Sequence, residues 1–204
     1  MDQRKGVDME DVPLFKSAHA AMTFALNYSN TSHVERSPVS KASDTHKSSG
    51  GKGLVGLDGA AQAGMILAVL KSTGELHEAC IISRVSKKKV PCSCGSACCS
   101  GHRPNWAWRD SIRFLATEVK LMMDKDREDG KRGVVDNPAM RQAIVAKYFG
   151  EPVRIKELAK ACEVTDVTVA NHLGRINRIL KKLESEAWER LEDKLRQDGI
   201  VGET

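Results

Sequence analysis

The sequence predicts a mainly α-helical protein, in which a helical region with a cysteine-rich loop precedes a C-terminal domain of three short helices. Aromatic residues are 4% of the 204 residues and charged residues are 29%, a balance that suits helices with modest cores better than a strand-rich sandwich. Apolar residues recur at helical spacing through much of the chain. The stretch PCSCGSACCSGH, residues 91–102, interrupts that spacing with four of the six cysteines.

Composition divides the chain into three predicted segments. Residues 1–53 are expected to hold one short helix, at 15–28, followed by a linker at 29–53. The linker is rich in Ser, Lys and Gly, so burial cannot offset the entropy of ordering it. Residues 54–130 form the predicted helical domain with the cysteine loop. Residues 131–204 form the predicted C-terminal helix-turn-helix domain, entered through a hinge, DKDREDGKRGVVDNP, with two glycines and dense charge. A further acidic helical stretch, ESEAWERLEDKLRQDGIVG, is predicted after residue 183.

The predicted compartment is the cytoplasm, and no membrane partner is expected. The N-terminal stretch MDQRKGVDMEDVPLF has no apolar signal core, and no segment is long enough to span a bilayer. Disulfides persist in oxidising compartments. Clustered cysteines in a reducing compartment are more often metal ligands or redox thiols.

The cysteine loop predicts a zinc site. Zinc prefers four tetrahedral ligands drawn from thiolate and imidazole, and turns rich in Gly and Ser let a chain wrap around one ion. The spacing favours Cys92 and Cys94 as one arm, followed by the Cys98 and Cys99 pair or by one of them with His102. An iron–sulfur cluster, a redox switch and unliganded thiols are the alternatives. The loop holds no Glu or Asp to act as general base, so a structural ion is expected.

Helices are predicted on both sides of the cysteine loop. One covers about 58–74 and a second about 75–86. A long helix follows the loop, with Asn105 as its N-cap. Of the two tryptophans at its start, Trp106 and Trp108, one is expected to pack over the metal loop and the other to join the helix core.

The C-terminal domain shows three helix signatures in succession. Asn137 is placed to cap the first helix, with Pro138 in its first turn and Gly150 as its stop. A short helix, RIKELAKAC, follows. Thr165 then caps DVTVANHLGRINRILKKL. The predicted core of this domain consists of Ile155, Leu158, Ala159, Val164, Val169, Leu173, Ile176 and Leu180.

The segment KELAKACEVTDVTVANHLGRINRILKKL, Lys156 to Leu183, resembles the helix-turn-helix of sigma-70 region 4 and related regulators. Glu163 stands where that family usually has Gly at the tight turn. The resemblance implies a recognition helix that enters the major groove of double-stranded DNA while basic residues contact phosphates. His172 is expected to be partly exposed. The predicted DNA-binding residues are Asp166, Val167, Thr168, Ala170, Asn171, Arg175, Arg178, Lys181 and Lys182.

The charged residues of the C-terminal domain are unevenly distributed between its two parts. Residues 131–183 hold 11 Lys or Arg and 5 Asp or Glu, an excess of six positive charges. Residues 184–204 hold 3 and 7, an excess of four negative charges. The basic block therefore coincides with the predicted helix-turn-helix, and a polyanion is a compatible partner.

The arrangement CxCxxxCCSGxxxNxxW ahead of a small helix-turn-helix is similar to that of regulators encoded in bacteriophages and prophages, and to zinc-containing Q-type antiterminators. The resemblance implies a sequence-specific DNA-binding transcription regulator that acts with RNA polymerase in late-gene activation or antitermination. A small metal-dependent nuclease is the alternative. The chain has no carboxylates clustered around a His, no phosphate-binding glycine loop and no nucleophile motif, so a non-enzymatic function is expected.

Overall fold

The computed structural model describes residues 13–32, 56–92, 94, 96, 99–125 and 137–202, and this part of the chain is mainly helical, as predicted. The predicted linker beyond residue 32 and residues 126–136 of the predicted hinge lie outside these residues. No helix in the described part is both long and apolar enough to cross a bilayer. The elements are α1 (Ala18–Ser32), α2 (Gly56–Ser72), α3 (Glu75–Val85), β1 (Lys89–Pro91), β2 (His102–Pro104), α4 (Trp106–Lys125), α5 (Pro138–Tyr148), α6 (Ile155–Ala161) and α7 (Asp166–Gln197).

Three of the predicted N-caps and the predicted glycine stop are confirmed, whereas Asp58, also predicted as a cap, lies inside the first turn of α2. The side chain of Asn105 accepts a hydrogen bond from the backbone N–H two residues on, at 3.1 Å. Asn137 and Thr165 each accept one from the N–H three residues on, at 3.0 Å and 3.2 Å. Each bond satisfies a donor that the first helical turn leaves unpaired. Gly150 follows α5 with a φ of +86°, which glycine adopts without strain.

The described residues fall into two compact units, and the domain boundaries predicted from the sequence stay predictions. The first unit consists of the described residues within the ranges 1–69 and 191–204. In it, the backbone N–H of Phe15 donates to the carbonyl of Ile200 at 3.2 Å, and Phe15 forms a parallel bridge with Val201. Phe15 also contacts Phe24, with ring centroids 5.3 Å apart. A short hydrogen-bonded contact thus joins the two ends of the described chain.

The second unit, Leu70–Arg190, contains the cysteine loop and most of α7. Within it α4 packs against α3 and α5. The indole N–H of Trp108 donates to the carbonyl of Ser83 at 3.0 Å, and Nε of Arg141 donates to the carbonyl of Ala116 at 2.8 Å. Large side chains that are almost fully buried in this unit are Leu70, Ile81, Ile112, Leu115, Met140, Ile144, Ile176 and Leu180.

Two expectations about the C-terminal region are corrected. The sequence suggested a helix ending near Leu183 and a separate helical stretch after it, but α7 is continuous over 32 residues. No Gly or Pro lies between residues 175 and 197, so nothing stops the helix there. His172 is buried, with 9% of its surface exposed, because it lies on the same side of α7 as Val169 and Ile176.

Candidate functional sites

The cysteine loop is closed by a short antiparallel β-ribbon. Strands β1 and β2 pair Lys89 with Pro104, Val90 with Arg103 and Pro91 with His102. The N–H of the next residue, Cys92, donates to the carbonyl of Gly101 at 2.9 Å and so extends the ladder into the loop. Sequence reasoning missed the ribbon. Each strand has three residues, which is too short for a detectable alternation.

Three of the predicted ligands meet inside the loop. The sulfur atoms of Cys92, Cys94 and Cys99 all lie within 4.8 Å of one another. This cluster could hold a metal ion. Cys98 lies outside the described residues. His102 is not a member of the cluster: it is exposed on β2, and its Nδ1 lies 3.3 Å from the carbonyl oxygen of Ser100.

Hydrogen bonds within the loop favour a thiolate. The backbone N–H of Ser96, followed by the thiols of Cys99 and Cys92, lowers the pKa of Cys94 to about 7. At Cys92 the backbone of Cys94 lowers the pKa, but hydrogen bonds with the thiols of Cys94 and Cys99 outweigh it, so the pKa of Cys92 is raised. Negative charge therefore resides first on Cys94. Thiolate is the form of cysteine that binds metals.

The base of the ribbon is fixed to the helices on either side. Asn105 donates its backbone N–H to the carbonyl of Lys88 at 2.9 Å and its side-chain amide to the carbonyl of Lys87 at 2.7 Å. The ammonium of Lys88 donates to the carbonyl of Gly150 and lies 3.4 Å from the carboxylate of Glu151. These bonds connect β1 to the start of α4 and to the end of α5.

The two tryptophans at the start of α4 have opposite environments. Trp108 is 7% exposed and belongs to the helix core, as expected for one of the pair. Trp106 is 55% exposed, with the guanidinium of Arg109 over its ring, 4.9 Å from the centroid.

The turn between α6 and α7 has the geometry of a helix C-cap motif. Glu163 has a φ of +55° and is the only non-glycine residue with positive φ in the described part of the chain. The next N–H, of Val164, donates to the carbonyl of Ala159 at 3.0 Å, and the N–H of Glu163 donates to the carbonyl of Lys160 at 3.3 Å. This pair of bonds is a Schellman motif, which usually places glycine at the left-handed position.

Helix α7 has a buried face and a charged, exposed face. Val169, Ile176 and Leu180 are buried. Thr168 is half-buried, and Val167 is 68% exposed. Gly174 is exposed on the same face, and an added Cβ there would meet no atom within 4 Å. The other predicted contact residues are all exposed: Asp166, Ala170, Asn171, Arg175, Arg178, Lys181 and Lys182.

A half-buried ionic cluster that the sequence did not reveal joins α3, α5 and α7. Arg84 binds Glu184 through two hydrogen bonds, Nε to Oε1 at 2.5 Å and Nη2 to Oε2 at 2.7 Å. The hydroxyl of Tyr148 donates to the same carboxylate at 2.7 Å. The guanidinium also lies over the rings of Tyr148 and Phe149, 5.1 Å and 5.0 Å from their centroids.

The cluster shifts the pKa values of its members. Burial raises the pKa of Glu184, but hydrogen bonds from Arg84 and Tyr148 outweigh it, so the pKa lies below its usual range. Burial raises the pKa of the nearby Cys80 thiol to about 12, and burial together with the Glu184 carboxylate raises the pKa of Tyr148. At neutral pH the cluster is a carboxylate and a guanidinium surrounded by neutral groups.

Comparison of the chain with protein-family models, with curated proteins and with solved structures gave no significant match.

Proposed function

We propose that the protein is a sequence-specific DNA-binding transcription regulator whose α7 contacts the major groove. The observation that carries the proposal is the division of α7 into two faces. At about 100° per residue, Val167, Asn171 and Arg178 lie on one side of the helix, while the buried residues lie opposite. A buried stripe holds the helix in place and leaves a polar, basic surface free for a polyanion.

The turn before α7 supports a helix-turn-helix assignment for α6 and α7. A seven-residue helix, a left-handed residue at Glu163 and an N-cap at Thr165 change the direction of the chain within four residues. The left-handed position is the one where region 4 of sigma-70 factors usually has glycine. Glu163 adopts that conformation, so its replacement of glycine does not count against the assignment.

The chemistry of the exposed face suggests separate roles along its length. At its N-terminal end, Asn171 can pair bidentately with adenine, and Val167 or Ala170 can contact a thymine methyl group. Asp166 and Thr168 lie at the two edges of this surface. Beyond Asn171 the exposed face of α7 carries basic side chains, which are suited to contact with DNA phosphates rather than with base edges. The residues assigned to phosphates are Arg175, Arg178, Lys181 and Lys182.

We propose that the cysteine cluster binds one structural zinc ion. Sulfur atoms in a tetrahedral zinc site lie about 3.8 Å apart, given a zinc–sulfur distance of about 2.3 Å. The three sulfur atoms, all within 4.8 Å of one another, fit this spacing. Cys98 or His102 supplies the fourth ligand in this proposal. The ion would fix a ribbon that has little apolar surface to bury.

The biological setting proposed for this regulator rests on the resemblance of the cysteine loop and C-terminal domain to phage and prophage regulators, including Q-type antiterminators. A protein of that kind acts with RNA polymerase on late genes. The acidic C-terminal segment, 184–204, gives the chain a surface of opposite charge to the basic block of residues 131–183. The basic block would therefore favour DNA, and the acidic segment would favour a basic surface of a protein partner.

Replacement of Asn171 by alanine tests the assignment of α7. Asn171 is exposed, so the variant should melt near the wild-type temperature. It should lose about 1–3 kcal/mol of discrimination between the best DNA site, selected from genomic fragments, and a scrambled duplex. A marked fall in melting temperature with unchanged discrimination would remove Asn171, and the register of the whole helix, from the proposed interface.

Arg178→Ala is the matched variant for the phosphate role. It should weaken binding to every duplex and reduce the slope of log affinity against log salt by about one. Loss of sequence preference with unchanged non-specific affinity would show that Arg178 contacts bases and that the assigned roles are wrong.

A further inference from the structure

A second cationic surface lies at the base of the cysteine ribbon, which is the cysteine loop together with strands β1 and β2. The proposed duplex contact does not use this part of the chain. Residues 86–113 hold six Lys or Arg and one Asp, an excess of five, which equals the net charge of the whole chain. The single acid, Asp110, is paired with Arg113 at 3.3 Å. Lys88 is engaged with the end of α5. Lys87, Lys89, Arg103 and Arg109 are exposed.

An exposed aromatic ring lies within this charged segment. Trp106 begins α4 and is one of only four large apolar residues that the described chain exposes. Arg109 stacks on it, 4.9 Å from guanidinium carbon to ring centroid. An indole paired with a guanidinium is a flat, cationic platform of the kind on which unpaired bases stack.

Hydrogen bonds from Asn105 and the pairing of β1 with β2 hold the lysines and the ring at the same end of the ribbon. Asn105, the residue before Trp106, bonds to the carbonyls of Lys87 and Lys88. Lys89 pairs with Pro104, two residues before the ring. The backbone of Lys87, Lys88 and Lys89 is therefore close in space to Trp106, although these lysines are 17 or more positions away in sequence.

We infer that Trp106 and Arg109, with Lys87 and Lys89 beside them, form a binding surface for single-stranded nucleic acid. A base must leave its helical stack to lie on a side-chain ring, so a single strand fits this surface better than a duplex. The basic side chains would bind the phosphates on either side of the stacked base. This inference goes beyond the duplex contact proposed for α7 and does not depend on it.

The test measures binding of the full-length, metal-loaded protein to short fluorescein-labelled oligothymidylate and oligouridylate by fluorescence anisotropy at low salt. Trp106→Ala should bind both strands about tenfold more weakly than wild type. Trp106→Phe keeps a ring and should retain most of the affinity. Leu121→Ala, which removes another exposed apolar side chain from α4, is the matched control and should bind as wild type does.

Duplex binding separates this inference from the proposed function. Trp106→Ala should bind the best duplex site as wild type does, which also shows that it is folded, whereas Asn171→Ala should lose discrimination among duplexes and still bind the single strands. Equal single-strand affinity in wild type and Trp106→Ala overturns the inference. So does loss of binding to RNA polymerase in Trp106→Ala with unchanged single-strand affinity, because the exposed indole would then be a protein contact.

Comparison of the two oligonucleotides distinguishes the two sources of a single strand. Tighter binding of oligouridylate than of oligothymidylate would assign the surface to RNA, because only RNA offers 2′-hydroxyl groups to the surrounding donors. Equal affinity for the two oligonucleotides would mean that the surface binds single-stranded RNA and single-stranded DNA alike, through base stacking and phosphate contacts alone. Both results support the surface, provided that Trp106→Ala loses the binding.

Discussion

The cysteine ribbon and the part of α7 that ends at Arg190 lie in the same compact unit and are stabilised in different ways. Between residues 86 and 105, Val90 is the only buried residue in the described part of the ribbon. Between residues 166 and 183, α7 buries a stripe that includes Val169, Ile176 and Leu180. Each such side chain contributes about 1.5–3 kcal/mol when it is removed from water.

The difference shows how each region can provide a binding surface. Helix α7 obtains its stability from one face, so substitutions on the opposite face are expected to change binding and spare folding. The ribbon has almost no apolar face. Its conformation depends on a few backbone hydrogen bonds and, in the proposed function, on the ion held by Cys92, Cys94 and Cys99.

Removal of the metal should unfold the ribbon and leave α7 folded. Freshly reduced protein should contain about one zinc ion per chain, and Cys92→Ser or Cys94→Ser should release it. Structural zinc binding is worth about 10 kcal/mol or more in small domains, so the loss should be severe locally. Hydrogen exchange should show lost protection at residues 89–104 and retained protection in α7.

One control and two ligand variants sharpen the metal prediction. Cys162→Ser removes a thiol outside the cluster and should keep the zinc content of wild type. Cys98→Ser and His102→Ala separate the two candidates for the fourth ligand, since only replacement of the residue that binds the ion should lower zinc affinity. Metal analysis that finds neither zinc nor iron in reduced protein would contradict the metal site itself.

The Arg84–Glu184 pair should stabilise the helical part of this unit. Glu184→Gln removes a charge that accepts two bonds from Arg84 and one from Tyr148. Hydrogen bonds to charged groups contribute about 1.5–3 kcal/mol, so urea denaturation should show a loss of about 2–3 kcal/mol. The control is Glu186→Gln, since Glu186 is exposed and lies 3.8 Å from Lys182; it should cost less than about 0.5 kcal/mol.

The same cluster predicts how stability varies with pH. The pKa of Glu184 is lowered on folding, so its contribution is present above the ordinary carboxyl pKa and is lost as the pH falls through the folded-state value. The pKa of Cys80 is raised to about 12, so its contribution is present below its ordinary value of 9.0 and declines as the pH rises from there. Urea titrations at a series of pH values should show that Glu184→Gln loses less free energy of unfolding at low pH than wild type does. Part of the loss at high pH should remain. A loss at low pH identical to that of wild type would contradict this assignment.

Features that depend on neighbouring residues in sequence were predictable. The caps at Asn105, Asn137 and Thr165 each act within three positions, and the structure confirms them. The cysteine cluster was predictable for the same reason, since its three described members span eight positions. The choice among Cys98, Cys99 and His102 was not, because the spacing permits more than one way around an ion.

Features that depend on distant pairing could not be found in the sequence. Arg84 and Glu184 are 100 positions apart, and no local pattern connects them. Strands β1 and β2 contain three residues each, including prolines, so neither alternation nor β propensity reveals them. His172 was wrongly placed because its chemistry suggested exposure, whereas its position on the helix, among Val169 and Ile176, decides its burial.

Glu163 tests the turn that joins α6 to α7. A left-handed conformation costs a non-glycine residue about 1–2 kcal/mol, while glycine gains flexibility in the unfolded chain. Glu163→Gly should therefore raise the free energy of unfolding by up to about 1 kcal/mol in urea titrations. Glu157→Gly, within α6, should lower it by about 1 kcal/mol. Destabilisation by both variants would contradict the assigned turn geometry.

Gly174 provides the finest test of the contrast, because it separates the stability of α7 from its proposed binding surface. Glycine inside a helix costs about 0.5–1 kcal/mol relative to alanine, and a Cβ at Gly174 would meet no atom within 4 Å. Gly174→Ala should therefore stabilise the protein by that amount. It should also weaken duplex binding, since the added methyl group would lie between Asn171 and Arg178 on the proposed contact face. Gly64→Ala is the matched control: Gly64 is an exposed glycine inside α2 with the same free space, and its replacement should stabilise the protein without changing duplex affinity. If Gly174→Ala stabilises the protein and binds duplex DNA as tightly as Gly64→Ala does, the surface of α7 around residue 174 is not in close contact with DNA, and the proposed interface must end before it.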